Sequence, residues 1–145
     1  MKRQEELKEI IGKATQLHGH LGPFLVIGVR MGIIAKKQLY ISNSHLSFLR
    51  AKVRVPLFPP YSCLLDGIQI TTTCTIGNQR LTVESAKAIC ASFTSQNSQG
   101  KLKLSIKSRM MIELEKRRIE NALTEEYALE LANAPENQLF DMEKQ

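Results

Sequence analysis

The chain has 145 residues, enough for one ordinary domain, and its 43% hydrophobic and 23% charged residues make a globular composition rather than a disordered or fibrous one. The formal net charge of +6 favours acidic partners or anionic ligands and leaves the fold open. A charged start without a signal core, no apolar run long enough for a bilayer, and three cysteines without paired spacing point to the reducing cytoplasm and away from a membrane or a disulfide framework.

Leu7, Ile10, Ile11, Ala14 and Leu17 recur at helical spacing, which predicts an amphipathic helix over 3–17. It stops at His18-Gly19-His20, where glycine lets the chain turn sharply. Gly22-Pro23 starts a second helix, with proline in the first turn where its missing N–H costs little. From 24 to 39 this helix is apolar almost all round, so it is expected to be buried and central. Gly28 and Gly32, four apart, leave a bare stripe for close packing of another backbone. Residues 40–45 read as a loop. Leu49, Ala51, Val53 and Val55 then alternate with Arg50, Lys52 and Arg54, the pattern of a half-buried strand. Pro56, Pro59 and Pro60 end it. Ser62 is placed to cap a short helix over 63–69, which is followed by a β-branched run over 71–75 and a turn at Gly77-Asn78.

Residues 81–84 read as strand, and 86–94 with 101–107 as the arms of a hairpin joined across 95–100. Helices are predicted over 108–120 and 124–132, the second capped by Thr124 with Glu125 and Glu126 in its first turn. Pro135 stops it, and 136–145 is expected to be a polar, frayed tail. The expected fold is a single α+β domain over 1–135. A buried central helix and flanking helices pack on a mainly antiparallel sheet, with a helical C-terminus.

The sequence lacks a P-loop, a dinucleotide fingerprint, a His-Glu-x-x-His helix, a Gly-x-Ser-x-Gly elbow and any Cys-x-x-Cys pair. Its first positive signal is His18 and His20. Residues two apart diverge on a continuous helix but point the same way when the backbone is broken, as Gly19 and Gly22-Pro23 predict. Two imidazoles could then converge on one metal ion or one anionic ligand. The alternative is a histidine that caps the first helix at its C-terminus.

Cys63 begins the short helix, a position that lowers a thiol pKa, although free cysteine is also often a small buried hydrophobe. Asp66 and Gln69 share its helical face. Cys74 can join Cys63 only if the chain folds back after Gln69, because twelve residues of straight helix would separate them by roughly 16 Å. Cys90, beside Ile89 and Ala91, is expected in the core. Arg50, Lys52 and Arg54 could hold an anion or simply solvate a strand face, and no aromatics interleave with them for base stacking.

The segments His18-Gly19-His20-Leu21-Gly22-Pro23, Cys63-Leu64-Leu65-Asp66-Gly67-Ile68-Gln69 and Thr72-Thr73-Cys74-Thr75-Ile76-Gly77 resemble, in order and separation, the core motifs of the formylmethanofuran dehydrogenase E-subunit family. The resemblance covers about residues 5–120. It implies an α+β core with a cleft lined by both histidines, the first cysteine, and the Asp, Gln, Thr and Cys positions. It also implies metal binding there and an association with a molybdenum or tungsten enzyme of methanogenic metabolism. The chain departs from the pattern at Gly22, where the family commonly has cysteine, at Phe24 and Thr73, where it has glycine, and over Gly77-Asn78-Gln79-Arg80. Some members carry a C-terminal zinc finger, which is not expected here because no cysteine follows Cys90.

On this reading the domain binds a divalent ion, zinc first, through His18 and His20 with Cys63 and Cys74. Asp66 acts as base or as an orienting group, and Gln69 as a donor to a small-molecule or anionic ligand in one-carbon or redox metabolism. The rival is a non-catalytic accessory protein that docks onto a larger enzyme through Met110, Met111, Leu114 and Ile119, with a second copy of the chain as a further candidate partner. A basic nucleic-acid-binding domain ranks third, resting on charge alone.

Overall fold

In the computed structural model, which describes residues 2–96 and 100–145, helix α1 (Lys2–His18) leads into α2 (Pro23–Gln38). The break between them is made by Gly19, whose φ of +103° suits glycine and whose N–H closes the last turn on the Thr15 carbonyl at 2.8 Å. Twelve of the 16 residues of α2 are buried, so it is packed on all sides, as its uniform apolarity predicts.

The glycines of α2 receive α3 (Cys63–Thr72). A Cβ added at Gly28 would stand 1.9 Å from the Leu64 carbonyl oxygen, and one at Gly32 would stand 2.6 Å from Thr71 Cβ. Gly67 answers from α3, where a Cβ would meet the Leu25 carbonyl oxygen at 2.3 Å. The bare stripe therefore serves backbone-to-backbone packing. Arg30, buried in the same helix, donates from Nη1 to the carbonyls of Leu131 (2.8 Å) and Ala132 (3.0 Å) in the last turn of α5 (Glu125–Asn133). Carbonyls of a last helical turn are short of intrahelical partners (Leu131 has only a 3.4 Å bond from Ala134 N–H at the C-cap), so the buried cation satisfies them. Burial lowers the Arg30 pKa, and Glu136 opposes that shift.

Five strands form one sheet in the order β2-β1-β3-β4-β5, with β1 (Leu49–Val55), β2 (Leu81–Ser85), β3 (Cys90–Ser95), β4 (Lys101–Ile106) and β5 (Phe140–Lys144). β1 and β2, joined through α3, run parallel, and the other pairs are antiparallel. The fold is thus α+β with a mainly antiparallel sheet. Leu49, Val53, Val55, Phe93, Leu102 and Leu104 are almost completely buried on one face, while Arg50, Lys52 and Arg54 are exposed on the other. The alternation read from the sequence of β1 is the alternation of its two faces.

Several local expectations are corrected. Ser62 makes no side-chain cap and sits in helical backbone, because 3-10-type bonds such as Leu65 N–H to the Ser62 carbonyl (3.0 Å) already start the helix. α3 runs on to Thr72 instead of ending near Gln69. The hydroxyls of Thr71 and Thr72 bond back to the carbonyls of Gly67 and Ile68 at 2.7 Å, which lets β-branched residues continue the helix until Thr73 turns left-handed. The loop expected over 40–45 gives way to a 3-10 turn at Asn43–Phe48. Cys90 is half-buried, not core: it is paired with Arg54 across β1 and β3 and shares its outward face.

The largest correction is the C-terminus. Residues 136–145, expected to fray, form α6 (Glu136–Leu139) and the edge strand β5, with Phe140 opposite Ile106 and Met142 opposite Leu104. Leu139 and Phe140 anchor it in the core, while the rest of its side chains face solvent. An edge strand needs little more than backbone pairing, so its composition resembles a tail. In chain order α4 (Ser108–Ile119) and α5 come between β4 and this strand, the latter helix capped as expected by Thr124, whose hydroxyl accepts from Tyr127 N–H at 3.1 Å. Residues 97–99 of the expected hairpin turn lie outside the described residues.

Candidate functional site

His18 closes the last turn of α1, and its Nδ1 stands 2.7 Å from Asp66 Oδ2 in the first turn of α3. An ionised carboxylate can only accept, so Nδ1 carries the proton and Nε2 presents a lone pair on the far side of the ring. Gln69, one turn further along α3, donates from Nε2 to the other oxygen of Asp66 at 3.1 Å. Both carboxylate oxygens are thereby held, and the imidazole is fixed in one orientation. The His18 side chain is 15% exposed, so a small ligand can still reach it.

The turn at Gly19 brings His20 back beside His18, with ring centroids 4.9 Å apart and planes tilted by 38°. The His20 ring also lies against Gly22, where an added Cβ would stand 3.5 Å from Nε2. Here the structure unites two segments, the histidine turn and the Asp66-Gln69 face of α3.

The thiols depart from expectation. Cys63 is half-buried at the start of α3, and burial followed by the Asp66 charge pushes its pKa up; a backbone hydrogen bond opposes these more weakly. A helix N-terminus alone would lower it, but burial, joined by the carboxylate one turn away, outweighs that effect. Cys74 is fully buried past the end of α3, with Sγ donating to the Leu49 carbonyl at 3.1 Å, and burial raises its pKa too. The structure does not bring it to the histidines. Among the described residues no three His, Cys, Asp or Glu side chains gather in an arrangement that could hold a metal ion. Of the set His18, His20, Cys63 and Cys74, the two imidazoles stand together, Cys63 lies one turn before Asp66 on α3, and Cys74 is engaged in the core.

A second cluster carries no signal in the sequence. The Tyr61 hydroxyl donates to Glu115 on α4, which also receives Arg118 at 3.0 Å. Burial first, then Glu115, raises the Tyr61 pKa, while Arg118 and then Tyr61 hold Glu115 below the usual carboxylate range. Tyr61 and Glu115 border a pocket of about 580 Å³, lined also by Pro56, Phe58, Lys87 and Met111. Tyr61 packs edge-on against Phe24 and Phe58, each with ring centroids 5.3 Å away. In the sequence the run Lys116-Arg117-Arg118, beside Glu113, Glu115 and Glu120, reads as a solvated helix face, because the Tyr61 partner of Glu115 lies 54 residues away in the chain. On α4 itself Met110 and Leu114 are buried, and the exposed apolar residues are Ile112 and Ile119.

No helix among the described residues is long and apolar enough to cross a membrane. Residues 17–144 match the family model described as FmdE, molybdenum formylmethanofuran dehydrogenase operon. The chain is 33% identical over 78 residues to a probable S-adenosyl-L-methionine-binding protein of Archaeoglobus fulgidus, a match covering 54% of this chain and 21% of that protein. It thus spans about a fifth of the length of that relative. The fold is similar to the crystal structure of an FmdE-like protein of the tungsten formylmethanofuran dehydrogenase type from Syntrophus aciditrophicus, with a TM-score of 0.65, 20% identity, and coverage of 96% of this chain and 71% of that one. At that identity the likeness is one of fold, but the family model reaches from the last turn of α1 to the end of β5, and on that ground the chain belongs to the FmdE family.

Proposed function

We propose that this FmdE-family domain binds a divalent metal ion, zinc first, at His18 and His20, and serves a cytoplasmic enzyme system of one-carbon or redox metabolism. The observation that carries the reading is the fixed chain Gln69–Asp66–His18, with the His20 ring beside it. A histidine whose Nδ1 proton is held by a carboxylate offers Nε2 as a ligand in a set orientation, the usual support for a metal-binding imidazole. The two imidazoles stand side by side, Cys63 lies one turn before Asp66 on α3, and zinc accepts mixed nitrogen and sulfur ligands. With two resident imidazoles, coordination would be completed by Cys63 after rotation of its side chain or by the ligand itself. Bound there, the ion would supply Lewis acidity. Asp66 then orients His18, and Gln69 positions Asp66 through the amide it donates, so neither needs to touch a substrate.

Purified protein should take up about one equivalent of zinc in equilibrium dialysis with metal analysis. His18→Ala and His20→Ala should each abolish uptake, and Asp66→Asn should weaken it by about 10- to 100-fold. Uptake that survives loss of both histidines would sink the proposal. A second reading, an accessory domain docking on a larger enzyme, is favoured by the exposure of Leu57, Phe58, Ile112 and Ile119. S-adenosyl-L-methionine, taken from the name of the Archaeoglobus relative, belongs in the same dialysis as a candidate ligand.

A further inference from the structure

The sheet face turned away from the core carries a group of cations that no single strand displays. Cross-strand partners share a face, so the register assigns the neighbours. Arg50 on β1, Thr94 on β3 and Lys101 on β4 form one row, and Lys52, Ser92 and Lys103 form the next. Each hydroxyl of the middle strand thus has a cation on either side. The rows lie about 7 Å apart, and the cations within a row about 10 Å apart. On the β4 side of those hydroxyls, over β3 to β5, opens a depression of about 180 Å³ lined by Ser92, Thr94, Lys101, Lys103, Glu143 and Gln145, with Arg50 and Lys52 beyond its β3 rim.

Charge on this face is largely uncommitted. Among the described residues Lys101 and Lys103 are exposed and pair with no carboxylate, and Arg50 meets neutral oxygens, the Gln79 carbonyl at 3.4 Å and the Gln96 side-chain amide at 2.7 and 2.9 Å. Lys52 reaches Glu84 at 3.1 Å, an exposed pair of the kind that contributes little and yields to a competing anion. The basic field is also short. Glu84 holds Arg54 on one flank, while Glu143 and Asp141 stand opposite Lys103 and Ser105 on the other. Those carboxylates would repel a polyanion long enough to cross the sheet, and no aromatic side chain stands among the cations to stack a base.

We propose that this open sheet face binds a compact, multiply charged oxyanion of the diphosphate class, seated over Ser92 and Thr94 between Arg50 and Lys52 on one side and Lys101 and Lys103 on the other. Two rows of donors suit two linked phosphoryl groups, with hydroxyls and cations both donating to their oxygens. The site shares no residue with the histidine pair, so it stands whether or not that pair binds metal.

Inorganic pyrophosphate is the probe, titrated calorimetrically into the full chain at low salt. Lys101→Gln/Lys103→Gln should weaken binding by about tenfold or more, and Glu143→Gln should tighten it, with melting temperatures close to the parent. Removing the same charge from α1 with Lys8→Gln/Lys13→Gln should leave the affinity unchanged. Adenosine diphosphate in parallel separates the two sources of the group: tighter binding assigns a nucleotide, equal or weaker binding a free diphosphate. The proposal is overturned if the parent chain does not bind pyrophosphate at millimolar concentration, or if the α1 variant loses as much affinity as the β4 variant.

Discussion

Asp66 is the residue on which the site turns. It accepts from His18 and from Gln69, and its charge also raises the Cys63 pKa as the second cause after burial. A thiol reacts as its thiolate, so Cys63 in the metal-free protein should label slowly at neutral pH and faster only as the pH climbs past the ordinary thiol range. Asp66→Asn removes the charge that raises the pKa, and the rate profile should move to lower pH. A profile that stays in place would leave burial as the sole cause. Cys74, fully buried, should label last in the folded chain. The pairing of His18 with Asp66 is not legible in the sequence. Helical spacing puts Asp66 and Gln69 on one face with Cys63, but nothing in that spacing says which helix end faces them 48 residues away.

The α2–α3 contact shows how an element can be specified by what it lacks. Gly28, Gly32 and Gly67 let two backbones meet where any Cβ would collide with a carbonyl or a threonine. Gly28→Ala would place a methyl inside the Leu64 carbonyl, and backbone on both sides leaves no flexible side chain to yield. A loss of about 3 kcal/mol is expected in denaturant unfolding. Gly12→Ala makes the opposite case: nothing lies within 4 Å of its Cβ on the exposed side of α1, so it should stabilise by up to about 1 kcal/mol through helix propensity alone. Equal effects of the two substitutions would show that the crossing is looser than these distances state. The spacing of Gly28 and Gly32 is visible in the sequence, and packing is its expected use, but Gly67 as the answering residue is not.

For the whole molecule, β5 closes one edge of the sheet with the last residues of the chain. Truncation after Leu139 would remove the partner of β4, leave its N–H and C=O groups open, and uncover the surface under Phe140. Losing the Phe140 side chain from the core costs about 2 kcal/mol by itself. The truncated chain should melt at lower temperature and self-associate with concentration, as thermal unfolding and size-exclusion chromatography would record. A monomer with the parent melting temperature would mean that β5 is dispensable.

Taken by itself, the sequence determined the features that repeat within a few residues along the chain. These are the alternation of β1, the buried periodicity of α2, the break at Gly19, the Thr124 cap and the three motifs that carry the family. Each depends on neighbours at one to four residues, where covalent geometry sets which side chains share a face. Tertiary structure alone decided the rest. It put Asp66 on His18, Tyr61 on Glu115 and Arg30 on the end of α5, contacts spanning 48, 54 and 101 residues. It also turned the polar tail into a strand, because β4 offered an unpaired edge, and it gathered Lys101 and Lys103 beside Arg50 and Lys52 through sheet register. Such contacts follow from which elements meet, and that is settled by the burial of apolar faces across the whole domain, not by the spacing of any one segment.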